Sequence, residues 1–288
     1  MGRSRWRALA ILAAAPLLVA ACSGSTTSSV PVLHEATNNT IAISDTAQGY
    51  TFDSGMSELP ADHLYQFRIV RPDGRPQTDY LWDQTKLLHF LAIRNDFTNF
   101  VHVHPTLGGD GTWSIRMPDM EPGPYQLYID TLLKDAQGLA LHVVLRRPLT
   151  VPGGYKLSPV VPAPSLTGEA DGYKITFLKQ PRPWTVMLLP ARVTHDDGTP
   201  VDNLEPYLSV FAHFTSFNIA NDLYGHAHPL EYAGSGREGW PLSTTPTLRG
   251  GPLLTFHAEF PGAGDYRAFV EFQIAGQLHT AALTMHVQ

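Results

Sequence analysis

The sequence predicts an all-β protein: two tandem immunoglobulin-like β-sandwich domains that follow a signal peptide and a flexible tether. Three observations predict it. Short runs of Val, Ile, Tyr, Phe and Thr are separated by turn clusters drawn from 24 glycines and 24 prolines, a pattern of strands and turns. Beyond the N-terminal apolar run no segment carries a helical period. The chain also repeats itself at an offset of 124 residues.

The elements follow in chain order. Arg3, Arg5 and Arg7 precede an uncharged apolar run from Ala8 to Ala20. That run is shorter than the roughly 20 residues a membrane-spanning helix needs and reads as a secretory signal over residues 1–21. Val19-Ala20-Ala21-Cys22 resembles the lipobox of bacterial lipoproteins, which implies cleavage before Cys22 and lipid (diacylglycerol, palmitate) on its thiol. Cys22 is the single cysteine of the chain, so neither an internal disulfide nor a thiolate metal site is expected. Residues 22–48 include the run Ser23 to Ser29, all Ser, Thr and Gly, and read as a tether. The expected location is extracytoplasmic, with the chain lipid-anchored to the cell membrane.

Residues 49–152 and 166–288 are the two expected sandwiches, with a Pro- and Gly-rich linker over 153–165. Phe67 to Pro105 aligns without a gap on Ala191 to Pro229, and nine of the 39 positions are identical. The identities fall on Arg68, Asp73, Gly74, Pro76, His89, Phe90, His102, His104 and Pro105 and their counterparts. Shared strand composition would place them on apolar positions; they fall on turn residues and histidines instead, which indicates duplication. Strands are expected over Phe67–Arg71, Leu87–Arg94, Trp113–Met117, Tyr125–Thr131 and Leu139–Val151. Tyr125 to Asp130 matches Tyr266 to Glu271, and His142 is paired with His279.

Each copy carries His-x12-His-x-His-Pro and a later histidine: His89, His102, His104 and His142, then His213, His226, His228 and His279. Residues i and i+2 of a strand share a face, so both rings of a His-x-His pair can reach one ion. Pro105 and Pro229 should end their strands or sit on an edge, which places the pairs at a sandwich rim. His89 and His213 are expected to supply a third nitrogen each, and His142 and His279 a fourth. Asp130 and Glu271 are expected as oxygen ligands or as acceptors that orient a ring. Imidazole without thiolate suits copper or zinc, with copper leading; Met117 and Met120 are possible thioether additions. His34, His63, His195, His257 and His286 do not recur in the repeat and are read as structural.

Lys86-Leu87-Leu88-His89-Phe90 with His102-Val103-His104-Pro105, and Pro206-Tyr207-Leu208 with His213 and Gly225-His226-Ala227-His228-Pro229, resemble an actinobacterial family of secreted lipoproteins found near copper or heavy-metal transport functions. The resemblance covers most of residues 49–288. The separate domains look like the YtkA-like and CopC-like sandwiches of periplasmic copper handling, which implies metal handling and a metal transporter or metal-receiving protein as partner. The CopC-like copper site uses an N-terminal histidine, whereas the expected mature N-terminus here is acylated Cys22, so those ligands do not carry over.

A formal charge of -6 gives no basic footprint for nucleic acid. No Gly-x-Ser-x-Gly elbow, phosphate loop, dinucleotide fingerprint or His-Glu-x-x-His occurs, so an enzyme is not expected. The leading expectation is a membrane-anchored metal-binding lipoprotein that buffers or transfers copper. The alternative is an interaction module whose histidines only stiffen strand ends.

Overall fold

Every regular element that the alternating apolar runs form is a strand. The computed structural model describes residues 44–158, 161–230 and 248–288; Cys22, His34, the expected signal peptide and most of the expected tether lie outside them. Among the described residues there is no helix. The first half contains β1 (Thr46–Ala47), β2 (Tyr50–Asp53), β3 (Leu64–Val70), β4 (Tyr80–Leu81), β5 (His89–Arg94), β6 (Phe100–Val103), β7 (Thr106–Leu107), β8 (Thr112–Arg116), β9 (Gly123–Lys134) and β10 (Ala140–Val151). The second contains β11 (Thr167–Ala170), β12 (Tyr173–Phe177), β13 (Met187–His195), β14 (His213–Asn218), β15 (Tyr224–Ala227), β16 (Leu253–Ala258), β17 (Gly264–Ile274) and β18 (Gln277–Val287).

The first half pairs its strands in two sheets, β1-β2-β3-β8-β7 and β10-β9-β5-β6, with β4 beside β9. The second repeats both as β11-β12-β13-β16 and β15-β14-β17-β18, joined edge to edge where Glu169 pairs with Ala282. Register is repeated too. Phe90 faces Val103 as Phe214 faces Ala227, and His89 faces Asp130 as His213 faces Glu271. Each half closes its sheets over an apolar core, with Phe52, Phe67, Phe90 and Trp113 in one and Phe177, Phe214, Phe256 and Phe272 in the other. Tyr125 and Tyr266 both donate their hydroxyls to the backbone four residues upstream, Glu121 O and Gly262 O, each at 2.9 Å. This is the tyrosine corner of immunoglobulin-like sandwiches. The chain is two tandem immunoglobulin-like domains, as the turn spacing predicts.

All six residues of β5 and all six of β14 are buried. One sheet face meets its own core; the other meets the opposite half. Leu91, Ile93, Tyr128 and Val144 from the first half form a shared cluster with Phe217, Tyr224 and Phe269 from the second. Phe100 stacks on Phe269 with ring centroids 4.4 Å apart, and Tyr128 stacks on Tyr224 at 5.1 Å. Under the repeat alignment Phe100 corresponds to Tyr224 and Tyr128 to Phe269. The two stacks are therefore the same contact made in both directions, and the halves meet about a pseudo-twofold axis.

Candidate metal centre

The histidines lie on this shared face. Alternation along β5 turns His89 the same way as Leu91 and Ile93, out of its own core and toward the other half. β6 is an edge strand beside β5, and its register puts His102 opposite Leu91 on that face. β14 and β15 repeat the arrangement, with His226 opposite Thr215. Within each half two of the three predicted histidines, His89 with His102 and His213 with His226, thus occupy neighbouring strands and one face, while His104 and His228 follow one residue past the strand end. The two sets then meet. His89 has ring centroids 4.9 Å from His226, 6.1 Å from His213 and 6.0 Å from His228. His102 lies 5.6 Å from both His213 and His226. The open rim expected from Pro105 and Pro229 is in fact covered by the opposite sandwich, because the faces that carry the pairs are the docking faces. Of the six histidines His104 alone is more than marginally exposed.

Ring nitrogens converge at ligand-like separations. Nδ1 of His89 lies 3.0 Å from Nε2 of His102 and 3.3 Å from Nε2 of His104. Two nitrogens bound tetrahedrally at 2.0–2.1 Å to one ion stand about 3.3 Å apart. Two groups of three histidines bring one ring nitrogen each to within 4.8 Å of the others, close enough to hold a metal ion: His89-His102-His104 and His89-His213-His226.

Carboxylates orient the rings, and they do so across the interface. Glu271 Oε2 accepts from Nδ1 of His102 at 2.6 Å, which leaves the His102 Nε2 lone pair facing His89. Asp130 lies with Oδ2 3.4 Å from Nδ1 of His226 and accepts from the Tyr224 hydroxyl at 2.9 Å. Both carboxylates were expected beside the site, and each serves the other half's histidine. Such acceptors fix the tautomer and aim the ligating nitrogen.

Burial first, and the neighbouring imidazoles second, push His89, His213 and His228 well below the usual histidine range. The same causes, with Lys86, lower His104 to about 2. These rings are neutral at neutral pH, the form that ligates. Burial alone would raise Asp130, but His142 and His226 more than offset it and hold the carboxyl well below its ordinary value. Among the described residues, four ring nitrogens of the cluster are buried without a hydrogen-bond partner: His89 Nε2, His213 Nδ1, His226 Nε2 and His228 Nε2. Left bare, each costs about 1–3 kcal/mol. Electron-pair donors with nothing to donate to them are what a transition-metal ion requires.

His142 and His279, expected as fourth ligands, do not join. His142 bonds Asp130 Oδ1 at 2.5 Å through Nε2, so it braces the carboxylate behind the site. His279 bonds Asp171 at 2.9 Å and packs on Tyr173 and Phe272. Register explains the difference. His142 faces Leu132 while His279 faces Phe272, and Phe272 corresponds to Thr131, one residue out of step. A one-residue shift reverses the face. Met117 is buried in the first core and Met120 packs against it, so neither sulfur belongs to the cluster. His63, His195 and His286 are engaged elsewhere, with Asp119, Tyr173 and Asp265.

One feature of the site has no sequence signal. Gln84 and Thr85 both have positive φ, at 44° and 73°, and so do Leu208 and Ser209, at 53° and 73°. These are equivalent two-residue turns, closed by Asp83 with Lys86 and by Tyr207 with Val210, just before His89 and His213. Two consecutive left-handed residues suit Asn-Gly; side chains such as Thr there are strained. The turns aim polar groups at the site: Asp83 Oδ2 lies 3.8 Å from His89 Nε2, and the Tyr207 carbonyl accepts from His213 Nε2 at 3.2 Å.

A family model described as a domain of unknown function, DUF8832, matches residues 168–288. No curated protein matches the chain. Among solved structures it is similar to a tetra-tandem repeat in the extending region of a large adhesion protein, at 12% identity and TM-score 0.23, covering 81% of this chain and 47% of that one. It is similar to the fibronectin(III)-like modules of Clostridium thermocellum CbhA at 12% identity and TM-score 0.19, over 83% of this chain and 94% of that one. The Yersinia pseudotuberculosis adhesin InvE matches at 11% identity and TM-score 0.22, over 83% and 59%. The chain spans less than two thirds of the adhesion-protein chains it matches.

Proposed function

We propose that this protein is an extracytoplasmic, lipid-anchored metal-binding protein that buffers copper or zinc, or passes it to a membrane transporter or a receiving protein. The observation that carries the reading is the set of four buried, unpartnered imidazole nitrogens among five histidines that fall into two candidate ligand groups and His228, whose ring packs on His89, His213 and His226. Neutral imidazoles held by carboxylates suit Cu(II) and Zn(II). His104, on the solvent side, gives an ion a route in and out. The resemblance to secreted metal-handling sandwiches points the same way, and the lipobox at Cys22 supplies the anchor.

The test is metal analysis of protein isolated without chelators, followed by equilibrium dialysis against Cu(II) and Zn(II). Stoichiometric binding is expected, and the double variant His102→Ala plus His226→Ala should abolish it. A chain that binds neither ion would instead have histidines that only join the two halves. Cys22→Ser should move the protein from the membrane fraction to the soluble exported fraction or leave an uncleaved precursor; mature protein still in the membrane would defeat the anchor.

A further inference from the structure

We propose that the cluster holds two divalent ions and that His89 bridges them as an imidazolate, with Nδ1 on one ion and Nε2 on the other. The inference rests on the metal-binding reading above and specifies the centre's nuclearity. The two candidate groups, His89-His102-His104 and His89-His213-His226, share His89 and nothing else. Nδ1 of that ring is committed to the first group, at 3.0 Å from His102 and 3.3 Å from His104. Nε2 is buried and has no hydrogen-bond partner. The two nitrogens of an imidazole point away from each other, so they cannot close on one ion. His226 stands 4.9 Å from His89, as near as the 5.0 and 5.3 Å of His104 and His102, with His213 at 6.1 Å.

Charge supports the same count. Two divalent ions bring four positive charges into a buried interface, where unbalanced charge is costly. Glu271 and Asp130 already bond the ligand rings, and Asp83 Oδ2 lies 3.8 Å from Nε2 of His89. These three carboxylates and one imidazolate balance two divalent ions. When the second ion binds, Nε2 donates its lone pair and the remaining ring proton of His89 passes to solvent. Nothing is oxidised or reduced. The ligand class is Cu(II) or Zn(II), and one of each fits equally well.

The full chain is titrated with Cu(II) alone, and its metal content and low-temperature paramagnetic resonance signal are recorded. Two copper ions per chain are expected, with a signal far below the copper content because an imidazolate couples the two spins. Loading one copper and one zinc should restore a full single-copper signal. His104→Ala removes a ligand of one ion and His213→Ala a ligand of the other. Each variant should bind a single copper with full signal, and His104, being partly exposed, is the change least damaging to the fold. A wild-type chain that saturates at one ion, or holds two with uncoupled signals, overturns the bridge and leaves the metal-binding reading standing. A wild-type chain that binds no ion overturns both.

Discussion

Asp130 is the residue on which most of the site converges. Its two oxygens meet His142, Tyr224 and His226, partners from both halves, while among the described residues the side chain of the equivalent Glu271 holds His102 alone. The two carboxylates therefore differ in what their removal should do. Glu271→Gln keeps the shape but loses a charged acceptor, and should weaken metal affinity about 10–100-fold with a modest change in melting temperature. Asp130→Asn should weaken affinity similarly and also destabilise the apo protein by about 2–4 kcal/mol, because two imidazoles and a phenol lose a charged partner at once. Competition with a chelator reads the first quantity and denaturant unfolding the second; equal stability loss in both variants would contradict the assignment. The sequence made both carboxylates visible through the repeat. It did not show that they serve opposite halves, because strand periodicity says which way a side chain points and not what lies opposite. It also paired His142 with His279, which the ladders separate by one residue. Hairpins of different length hid that step.

At the scale of elements, the turns before β5 and β14 carry the site histidines. Turn chemistry is legible in sequence when Gly or Asn marks it, as at Asp73-Gly74 and Asp197-Gly198. Gln84-Thr85 and Leu208-Ser209 carry no such mark, yet both adopt left-handed backbone. A β-branched residue there costs about 1–3 kcal/mol. Thr85→Gly should therefore stabilise the protein, by about 0.5–1 kcal/mol once the greater freedom of unfolded glycine is counted. The same variant should loosen the aim of His89 and lower metal affinity. Thermal unfolding and metal competition on one preparation measure both; a destabilised variant would mean that the Thr85 side chain makes a contact worth more than the strain. Among the strands, β3, β5, β8, β9, β10 and most of β17 are legible as runs of strand-forming residues. Burial of β5 on both faces is visible as the unbroken apolar run Phe90 to Ile93 after His89, but such a run looks the same whether a neighbouring sheet or a second domain covers the outer face; β14, which buries Thr215, Ser216 and Asn218, carries no such run.

For the whole molecule, the docking of the two sandwiches and the protonation of the site are linked. His104 is lowered to about 2, and His89, His213 and His228 are also well below their unfolded value of about 6.5. A chain that exposes these rings takes up protons the docked one refuses. Stability is therefore fully present above pH ~6.5 and is lost as pH falls from there toward the folded values. Each such ring steepens the loss by about 1.4 kcal/mol per pH unit. Separation of the halves exposes the rings without unfolding either core, so an acid transition should appear by small-angle scattering as an expanded particle with strand content retained. Bound Zn(II) should shift it to lower pH, since metal and protons compete for the same lone pairs. An acid transition indifferent to zinc would uncouple site from docking.

The pseudo-twofold relation has a further consequence. Two identical copies meeting about a twofold axis form an isologous dimer, in which every residue change occurs twice and the contact between copies must remain self-complementary. Joined in one chain, the same contact is released from that condition. Either side can drift alone while the other keeps the older chemistry. Asp83 stands where Tyr207 stands in the other copy, and His142 where Leu278 does. Each difference places a polar group on the first copy's side of the shared face. The asymmetry by which His89, and not its counterpart His213, belongs to both ligand groups is open only to a fused pair; a true dimer would have to make the two identical.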